Sequence, residues 1–161
     1  MPHRTAADIM ARSVVTLSPD MDIYGAVQLL LKKEISGAPV VGPEGRLVGV
    51  LSEKDCLKVL AGGALDGLPE GKVSDYMTRS VESITPTTSI YDIVHSLLQA
   101  HFRRLPVVDQ AGRVVGQISR RDVLAAVESI RDNSYLYGTE DKSPPKEGMG
   151  VDSAMRHARG R

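Results

Sequence analysis

Cysteine, aromatic residues and an excess of charge of one sign are all lacking or scarce in this chain of 161 residues. The single cysteine, Cys56, excludes an internal disulfide, and the four histidines show no zinc-ligand spacing. Twenty basic side chains balance twenty acidic ones, so no net field directs the chain to nucleic acid or to an anionic membrane. Aromatic residues make up 4% of the chain, which argues against a base-stacking platform for single-stranded nucleic acid.

Long hydrophobic runs are also lacking. The longest, such as residues 29–31, are far too short to span a bilayer, and residues 1–10 contain no apolar core of signal-peptide length. A single cysteine is most simply explained by a reducing compartment. We therefore expect a cytoplasmic protein that has no contact with a membrane.

The chain does contain an internal repeat at an offset of 67 residues. The segment DIMARSV at residues 8–14 returns as DYMTRSV at 75–81, and PVV at 39–41 returns as PVV at 106–108. About twenty of the fifty residues from 8 to 57 are identical to their equivalents, with no gap. One structural unit is therefore expected twice.

Each copy carries the signals of a helix, a hairpin and a second helix. Asp22 and Ser89 are the candidate N-caps of the first helix in each copy. Apolar residues follow at helical spacing, namely Ile23, Val27, Leu30 and Leu31, and then Ile90, Val94, Leu97 and Leu98. Short apolar segments around glycine-containing turns predict two hairpins, over 38–41 with 46–51 and over 105–108 with 113–118. The second helices are expected over about 53–60 and 120–130.

These elements predict an α/β fold of the α+β type, in which two βαββα repeats pack sheet to sheet about a pseudo-twofold axis. One such unit is too small to bury its own sheet face and helix stripes, so the copies must cover each other. We assign residues 1–62 to the first repeat, 63–74 to a connecting loop and 75–132 to the second repeat. Residues 133–161 form a polar tail that is either flexible or docks on a partner or a second subunit.

A motif of the form G-x-x-S-x-x-D occurs at residues 49–55 and 116–122, where a strand leads into a helix. The first backbone N–H groups of a helix favour an anion such as phosphate, and Ser52 or Ser119 can join them. An ionised carboxylate one turn later, on Asp55 or Asp122, can accept hydrogen bonds from two neighbouring ribose hydroxyls. The glycine allows another group to approach the backbone closely.

The same residues also permit a purely structural interpretation. A serine followed three residues later by an acid forms a capping box, which is needed simply to start a helix. The occurrence of the motif in both copies, each time after a Pro-Val-Val strand and a hairpin, favours ligand binding in at least one cleft.

The combination of these motifs is similar to a known family. Residues 8–60 and 75–127 resemble a tandem pair of CBS domains, the Bateman module, because Asp-x-Met, Pro-Val-Val and G-x-x-S-x-x-D each occur twice. The resemblance implies an intramolecular pair with two clefts, which assembles into a disc-like homodimer. It also implies that AMP, ADP, ATP or S-adenosylmethionine binds as a regulatory ligand and not as a catalytic cofactor.

The resemblance also assigns site residues by position. Asp55 and Asp122 are equivalent to ribose-binding aspartates, and Ser52 and Ser119 to hydroxyls near the phosphate. Further candidates flank the adenine, open the hairpin strands or line the cleft from the segment leading into each copy: Ile35, Ser36, Phe102, Arg103, Pro39, Pro106, Ala7, Ser74, Arg12 and Arg79.

The two copies differ in charge at positions that face phosphate in the family. Copy two gathers four arginines, Arg103, Arg104, Arg120 and Arg121, where copy one has Ser36, Gly37, Glu53 and Lys54. Arginine forks hold phosphate oxygens through charge-assisted hydrogen bonds. We expect the Asp122 site to prefer a phosphorylated nucleotide and the Asp55 site either to be weaker or to prefer a less charged ligand. The arginines serve either the cleft of their own copy or, across the pseudo-twofold axis, that of the other copy. The alternatives are a solvated basic face or ion pairs with nearby acids.

No Ser-His-Asp arrangement, acid pair or P-loop suggests catalysis, so we expect no enzyme. No catalytic domain accompanies the copies, in contrast to many family members. The leading hypothesis is a freestanding sensor that binds an adenine nucleotide and signals to a partner protein by a change of conformation. The alternative is a dimerisation or protein-interaction module with empty clefts.

Overall fold

The computed structural model describes residues 4–63 and 70–137. Residues 138–161 of the tail predicted over 133–161, and residues 64–69 of the predicted loop, lie outside the described residues. The elements follow in chain order: α1 (Ala6–Ile9), α2 (Ile23–Lys33), β1 (Gly37–Val41), β2 (Leu47–Ser52), α3 (Glu53–Gly63), α4 (Val73–Tyr76), α5 (Ile90–Gln99), β3 (Arg104–Val108), β4 (Val114–Ser119) and α6 (Arg120–Tyr137). The described residues up to 126 form one compact unit, and residues 127–137, in a second unit, continue α6.

Helices α2 and α5 begin at the predicted caps. The Asp22 carboxylate accepts a hydrogen bond from the N–H of Gly25 at 2.9 Å, and the Ser89 hydroxyl accepts one from the N–H of Asp92 at 3.2 Å. The predicted apolar stripe is only partly buried, because Leu31 and Leu98 are 73% and 77% exposed. Residues at i, i+3 and i+7 face the core instead, namely Ile23, Ala26 and Leu30 in α2 and Ile90, Ile93 and Leu97 in α5.

Each copy contains a two-stranded antiparallel sheet, β1 with β2 and β3 with β4, and both hairpins carry an irregularity at the equivalent position. A single residue adds a parallel bridge to each sheet, Leu17 to Val40 and Ile84 to Val107, and supplies the first β element of the βαββα unit. The β3–β4 turn is organised by Asp109, whose carboxylate accepts backbone hydrogen bonds from Ala111 and Arg113 at 2.9 Å. The N–H donated by Arg113 is the main reason that the pKa of Asp109 is lowered.

The segments that lead into the copies, residues 4–12 and 71–79, cross to the opposite copy. Ala11 bridges Gln117 of β4, and Thr78 bridges Val50 of β2. Ala6 is fully buried in the core of the second copy, and Val73 and Met77 are buried in the core of the first. Each copy therefore completes its hydrophobic core with a segment that precedes the other copy in the sequence.

These bridges obey the predicted pseudo-twofold symmetry. Shifting both partners of the Ala11–Gln117 bridge by the 67-residue offset gives the partners of the Val50–Thr78 bridge in reverse order. A bridge between the equivalent residues Arg46 and Arg113 lies on the axis itself. The expected fold, two βαββα units packed about a pseudo-twofold, is confirmed.

Several bounds differ from the sequence prediction. Helix α3 continues to Gly63 and α6 to Tyr137, beyond the ends predicted near residues 60 and 130. Part of the segment assigned to the connecting loop is helical, since α4 occupies Val73–Tyr76. Among residues 4–63 and 70–137, no helix combines the length and apolar character needed to cross a membrane.

Candidate functional site

A narrow groove with a cavity volume of about 40 Å³ lies between the two hairpins. The first copy contributes Ser36, Gly37, Ala38, Pro39, Val50 and Ser52, and the second contributes Phe102, Arg103, Arg104, Pro106 and Gln117. Most of these residues are pairs related by the repeat, so the groove lies on the pseudo-twofold axis. Seven of the candidate site residues are thereby brought together: Ser36, Pro39, Ser52, Phe102, Arg103, Arg104 and Pro106.

The motif serines and aspartates form capping boxes in both copies. In copy one, the Asp55 N–H donates to the Ser52 hydroxyl at 3.2 Å, and the Ser52 N–H and hydroxyl both donate to Asp55 Oδ2 at 3.0 Å. In copy two, the Asp122 N–H donates to the Ser119 hydroxyl at 3.2 Å, and the Ser119 N–H and hydroxyl donate to Asp122 Oδ2 at 2.8 and 2.9 Å. These residues therefore start α3 and α6, as the structural interpretation predicted.

The motif glycines make room for the opposite copy. A Cβ on Gly49 would lie 2.8 Å from the Met77 sulfur and 2.9 Å from the Thr78 carbonyl oxygen. A Cβ on Gly116 would overlap the Met10 sulfur and lie 3.1 Å from the Ala11 carbonyl oxygen. The close approach expected at these glycines thus comes from a lead-in segment of the protein.

The four arginines of copy two lie at the start of β3 and of α6. Arg103 and Arg104 line the groove, while Arg120 and Arg121 are exposed at the first residues of α6. The Arg120 N–H donates to the Arg103 carbonyl at 3.4 Å, which places the two pairs next to each other. Within the described residues none of the four forms a salt bridge with an acid, so the ion-pair alternative finds no support there.

Each lead-in segment contains one candidate arginine, Arg12 or Arg79, and the two side chains form equivalent hydrogen bonds. An Arg12 guanidinium N–H donates to the Ala7 carbonyl, and an Arg79 guanidinium N–H donates to the Ser74 carbonyl, each at 3.1 Å. The structure therefore brings together the candidate residues of each lead-in segment. Arg79 also lines a separate cavity of about 220 Å³ with Leu47, Val48, Gly49, Val81, Ser83, Val108 and Gly112.

Ile35 faces a different environment from the other candidates. It lines an apolar groove of about 650 Å³ between α2 and α3, with Tyr24, Val27, Leu30, Leu31, Glu34, Glu53, Cys56, Leu57, Val59 and Leu60. Burial raises the pKa of the Cys56 thiol, which is half-buried there, so this side chain is not an activated nucleophile. No cluster of three potential metal ligands is found in the part of the chain that the structure describes.

Sequence reasoning missed two polar residues near the motifs. Gln117 lines the groove at the position equivalent to Val50, and this polar residue within an otherwise apolar strand was the available signal. The Thr78 hydroxyl group donates a hydrogen bond to the Asp55 carboxylate. Its oxygen lies 3.2 Å from Asp55 Oδ1 and 3.4 Å from Asp55 Oδ2. Its contact with Asp55 depends on the crossing of the lead-in segment to the opposite copy, which no local pattern in the sequence indicates.

The fold and the groove together define a pair of tandem α/β repeats that share a cleft on their pseudo-twofold axis. The family model described as the CBS domain matches residues 6–62 and 73–129. The chain belongs to the CBS domain family and contains a CBS pair.

Several known proteins are similar to this chain. A crystal structure of CBSX2 from Arabidopsis thaliana in complex with AMP has a TM-score of 0.70 and 32% identity, and the match covers 79% of this chain and 98% of that one. The CBS domain pair of protein MJ0100, in complex with 5′-methylthioadenosine and S-adenosyl-L-methionine, has a TM-score of 0.69 and 25% identity over 80% and 99% of the two chains.

Some relatives are longer than the matched region. The uncharacterised protein MJ1225 of Methanocaldococcus jannaschii is 37% identical over 76% of this chain, which spans 42% of that protein. An inosine-5′-monophosphate dehydrogenase of the same organism is 30% identical, and the chain spans 23% of its length. CBS pairs thus occur both as short proteins and within larger proteins, including enzymes.

Proposed function

We propose that the chain binds an adenine-containing nucleotide between its two CBS domains and acts as a regulatory module without chemistry of its own. The observation that carries this proposal is the groove on the pseudo-twofold axis, where Ser52 of one copy faces the same cavity as Arg103 and Arg104 of the other. Neither arginine is neutralised by an acid within the described residues. Unpaired guanidinium groups beside a helix N-terminus favour an anion such as phosphate.

The bound molecules of two relatives support an adenosine ligand. CBSX2 was crystallised with AMP, and the MJ0100 pair with 5′-methylthioadenosine and S-adenosyl-L-methionine. Adenine and ribose are common to all three molecules, whereas phosphate is present only in AMP. The arginines of copy two therefore favour AMP, ADP or ATP over S-adenosylmethionine for this chain.

Binding is expected to change the relative position of the two CBS domains. The groove volume of about 40 Å³ accommodates only a few water molecules, so a nucleotide needs the hairpins to move apart or the groove side chains to turn outward. A ligand that binds the open arrangement more tightly shifts the population towards it. A partner protein or a second CBS pair that contacts both domains would respond to that shift.

Calorimetric titration with AMP, ATP and S-adenosylmethionine tests the proposal. We expect a dissociation constant in the micromolar range, about −8 kcal/mol, for a phosphorylated adenylate. Asp122→Asn should weaken AMP binding about tenfold, because a charged acceptor for the ribose hydroxyls is lost. Glu82→Gln is the matched control, since it removes the same charge from an exposed loop outside the groove. Absence of heat with all three ligands would refute the proposal.

A second candidate function, a ligand-free dimerisation module, is favoured by exposed leucines on the outer helices. Leu31 and Leu57 are 73% and 64% exposed on α2 and α3, and Leu98 and Leu124 are 77% and 69% exposed on α5 and α6. Apolar faces of this kind are typical of protein interfaces, so a homodimer of CBS pairs is part of both proposals. Thermal unfolding separates them, since a ligand at a hundred times its dissociation constant stabilises the fold by about 2.7 kcal/mol.

We also propose a cytoplasmic location, which the unpaired Cys56 supports. The proposal includes no binding of nucleic acid, because basic and acidic residues are equal in number.

A further inference from the structure

The outer helices give each copy an apolar face that is exposed to solvent. The first face, on α2 and α3, is the groove of about 650 Å³, where Leu31 and Leu57 are exposed. The second face, on α5 and α6, carries Leu98 and Leu124 at the equivalent positions, and both are exposed. Because apolar surface gains free energy by leaving water, we expect an assembly to cover both faces.

The two faces differ in charge at one end. Glu34, directly after α2, and Glu53, the first residue of α3, line the groove of the first face. The offset of 67 residues places His101 and Arg120 at these positions of the second face. All four side chains are exposed, and none of them forms a salt bridge within the described residues. The first face is therefore acidic at the end where the second face carries an arginine.

The lysines of the first copy do not neutralise this acidic end. Lys32, Lys33 and Lys54 belong to α2 and α3 but do not line the groove. Lys58 also lies outside the lining, with its Nζ atom 3.8 Å from Asp55 Oδ1. A partner that enters the groove therefore meets the two glutamates as its charged side chains.

The apolar side chains alone do not decide which face packs on which. The repeat gives both faces the same residue type at four positions, so packing of like faces and packing of unlike faces bury similar side chains. These pairs are Tyr24 and Tyr91, Val27 and Val94, Leu31 and Leu98, and Leu57 and Leu124. The charged residues at the end of each face must supply the preference.

We infer that two copies of the chain form a dimer in which the first face of each packs on the second face of the other, with Glu53 beside Arg120. The inference rests on the homodimer in the proposed function and adds the choice of faces. A twofold axis that makes one such contact also makes the second, so all four faces are covered. Packing of like faces would place glutamate beside glutamate and arginine beside arginine, which is unfavourable in an interface.

Crosslinking between single cysteines tests the choice of faces. In a Cys56→Ala background, Leu57→Cys places a thiol on the first face, and Leu124→Cys places one at the equivalent position of the second face. With a short bismaleimide, co-expression of the two variants should give crosslinked dimers, whereas neither variant should crosslink with itself. Crosslinking of either variant alone, or no crosslinking of the co-expressed pair, would overturn the inference.

A matched pair of cysteines away from the outer helices is the control for crosslinking by collision. Ser13→Cys and Ser80→Cys are related by the same offset and are exposed in the segments that follow α1 and α4. Their co-expression should give only background crosslinking, above which the other yields are counted.

Charge reversal tests the same contact without cysteines and decides the matter if the cysteine variants fail to fold. Glu53→Arg should weaken the dimer at least about tenfold, because both contacts then oppose two arginines. Arg120→Glu in the same chain exchanges the signs and should restore the dissociation constant of the parent. Lys54→Glu, outside the groove, is the control for reversal of one charge on α3 and should leave the dimer unchanged.

Sedimentation velocity measures these variants in a dilution series that extends to the concentration at which the parent dissociates. A folded Glu53→Arg variant as tight as the parent, or a folded double variant no tighter than Glu53→Arg, would overturn the inference. Crosslinks between like faces in a protein that binds AMP would overturn the choice of faces and leave the nucleotide proposal intact. A parent that stays a single chain at high concentration would refute the proposed homodimer, and the inference with it.

Discussion

At the scale of single residues, the contacts of Asp55 predict a difference in stability between two equivalent substitutions. Asp55→Ala removes a buried carboxylate and leaves the Thr78 hydroxyl without its acceptor, whereas Asp122→Ala removes a partly exposed carboxylate that has no such neighbour. We expect the free energy of unfolding to fall by about 2 kcal/mol more for Asp55→Ala. Urea denaturation followed by circular dichroism measures both variants. Equal losses would show that the Thr78 contact contributes nothing to stability.

The repeated S-x-x-D spacing correctly located the motif serines and aspartates at the start of a helix in each copy. The spacing could not separate helix capping from ligand binding, because both uses require the same hydroxyl and carboxylate at the same distance along the chain. The contact between Thr78 and Asp55 was also hidden, since Thr78 reaches Asp55 only through the tertiary fold.

Among the elements, the short lead-in helices α1 and α4 were the least accessible to sequence reasoning. Periodicity and capping signals predicted the caps of α2 and α5 and both hairpins, because those features are local. The exchange of α1 and α4 between the copies is not local, and a division of the chain in linear order cannot show it. The exposure of Leu31 and Leu98 was equally hidden, since a helical stripe does not tell which of its residues face the core.

The glycines of β2 and β4 give a prediction for these elements. Gly116→Ala would place a methyl group against the Met10 sulfur and the Ala11 carbonyl, and we expect it to destabilise the fold by about 1–3 kcal/mol. Gly25→Ala in α2 is the control, for which we expect a change in stability of the opposite sign. The added Cβ would lie 3.9 Å from its nearest neighbour, a carboxylate oxygen of Asp22, so it would not clash. Alanine favours a helix over glycine by about 1 kcal/mol, so this variant should be stabilised.

Thermal unfolding measures both effects: the melting temperature should fall for Gly116→Ala and rise for Gly25→Ala. A stable Gly116→Ala variant would contradict the close packing of the first lead-in segment on β4.

For the whole molecule, the repeat offset was the most informative observation in the sequence. A constant spacing of 67 residues, without gaps, requires two equivalent units, and the bridges between the copies follow that spacing. Assembly beyond the pair was suggested only by resemblance. The structure adds exposed leucines on α2, α3, α5 and α6, which support a second CBS pair as their partner.

The proposed homodimer predicts the effect of charge on those faces. Leu31→Asp combined with Leu98→Asp should convert the protein from about twice its chain mass of 17.4 kDa to that mass, as measured by light scattering during size-exclusion chromatography. Burying the introduced carboxylates in an apolar interface is strongly unfavourable. Gln28→Asp, at an exposed position of the same helix α2, is the control and should leave the mass unchanged. A parent that already has the mass of one chain at high concentration would exclude the dimer.

Binding of an adenine nucleotide between the CBS domains is the central claim of this account, and a crystal structure grown with saturating AMP tests it most directly. We predict electron density for AMP between the two CBS domains, with the ribose hydroxyls on Asp122 and the phosphate against the arginines of copy two. A crystal grown with saturating AMP that shows no density for the nucleotide between the CBS domains would contradict the account.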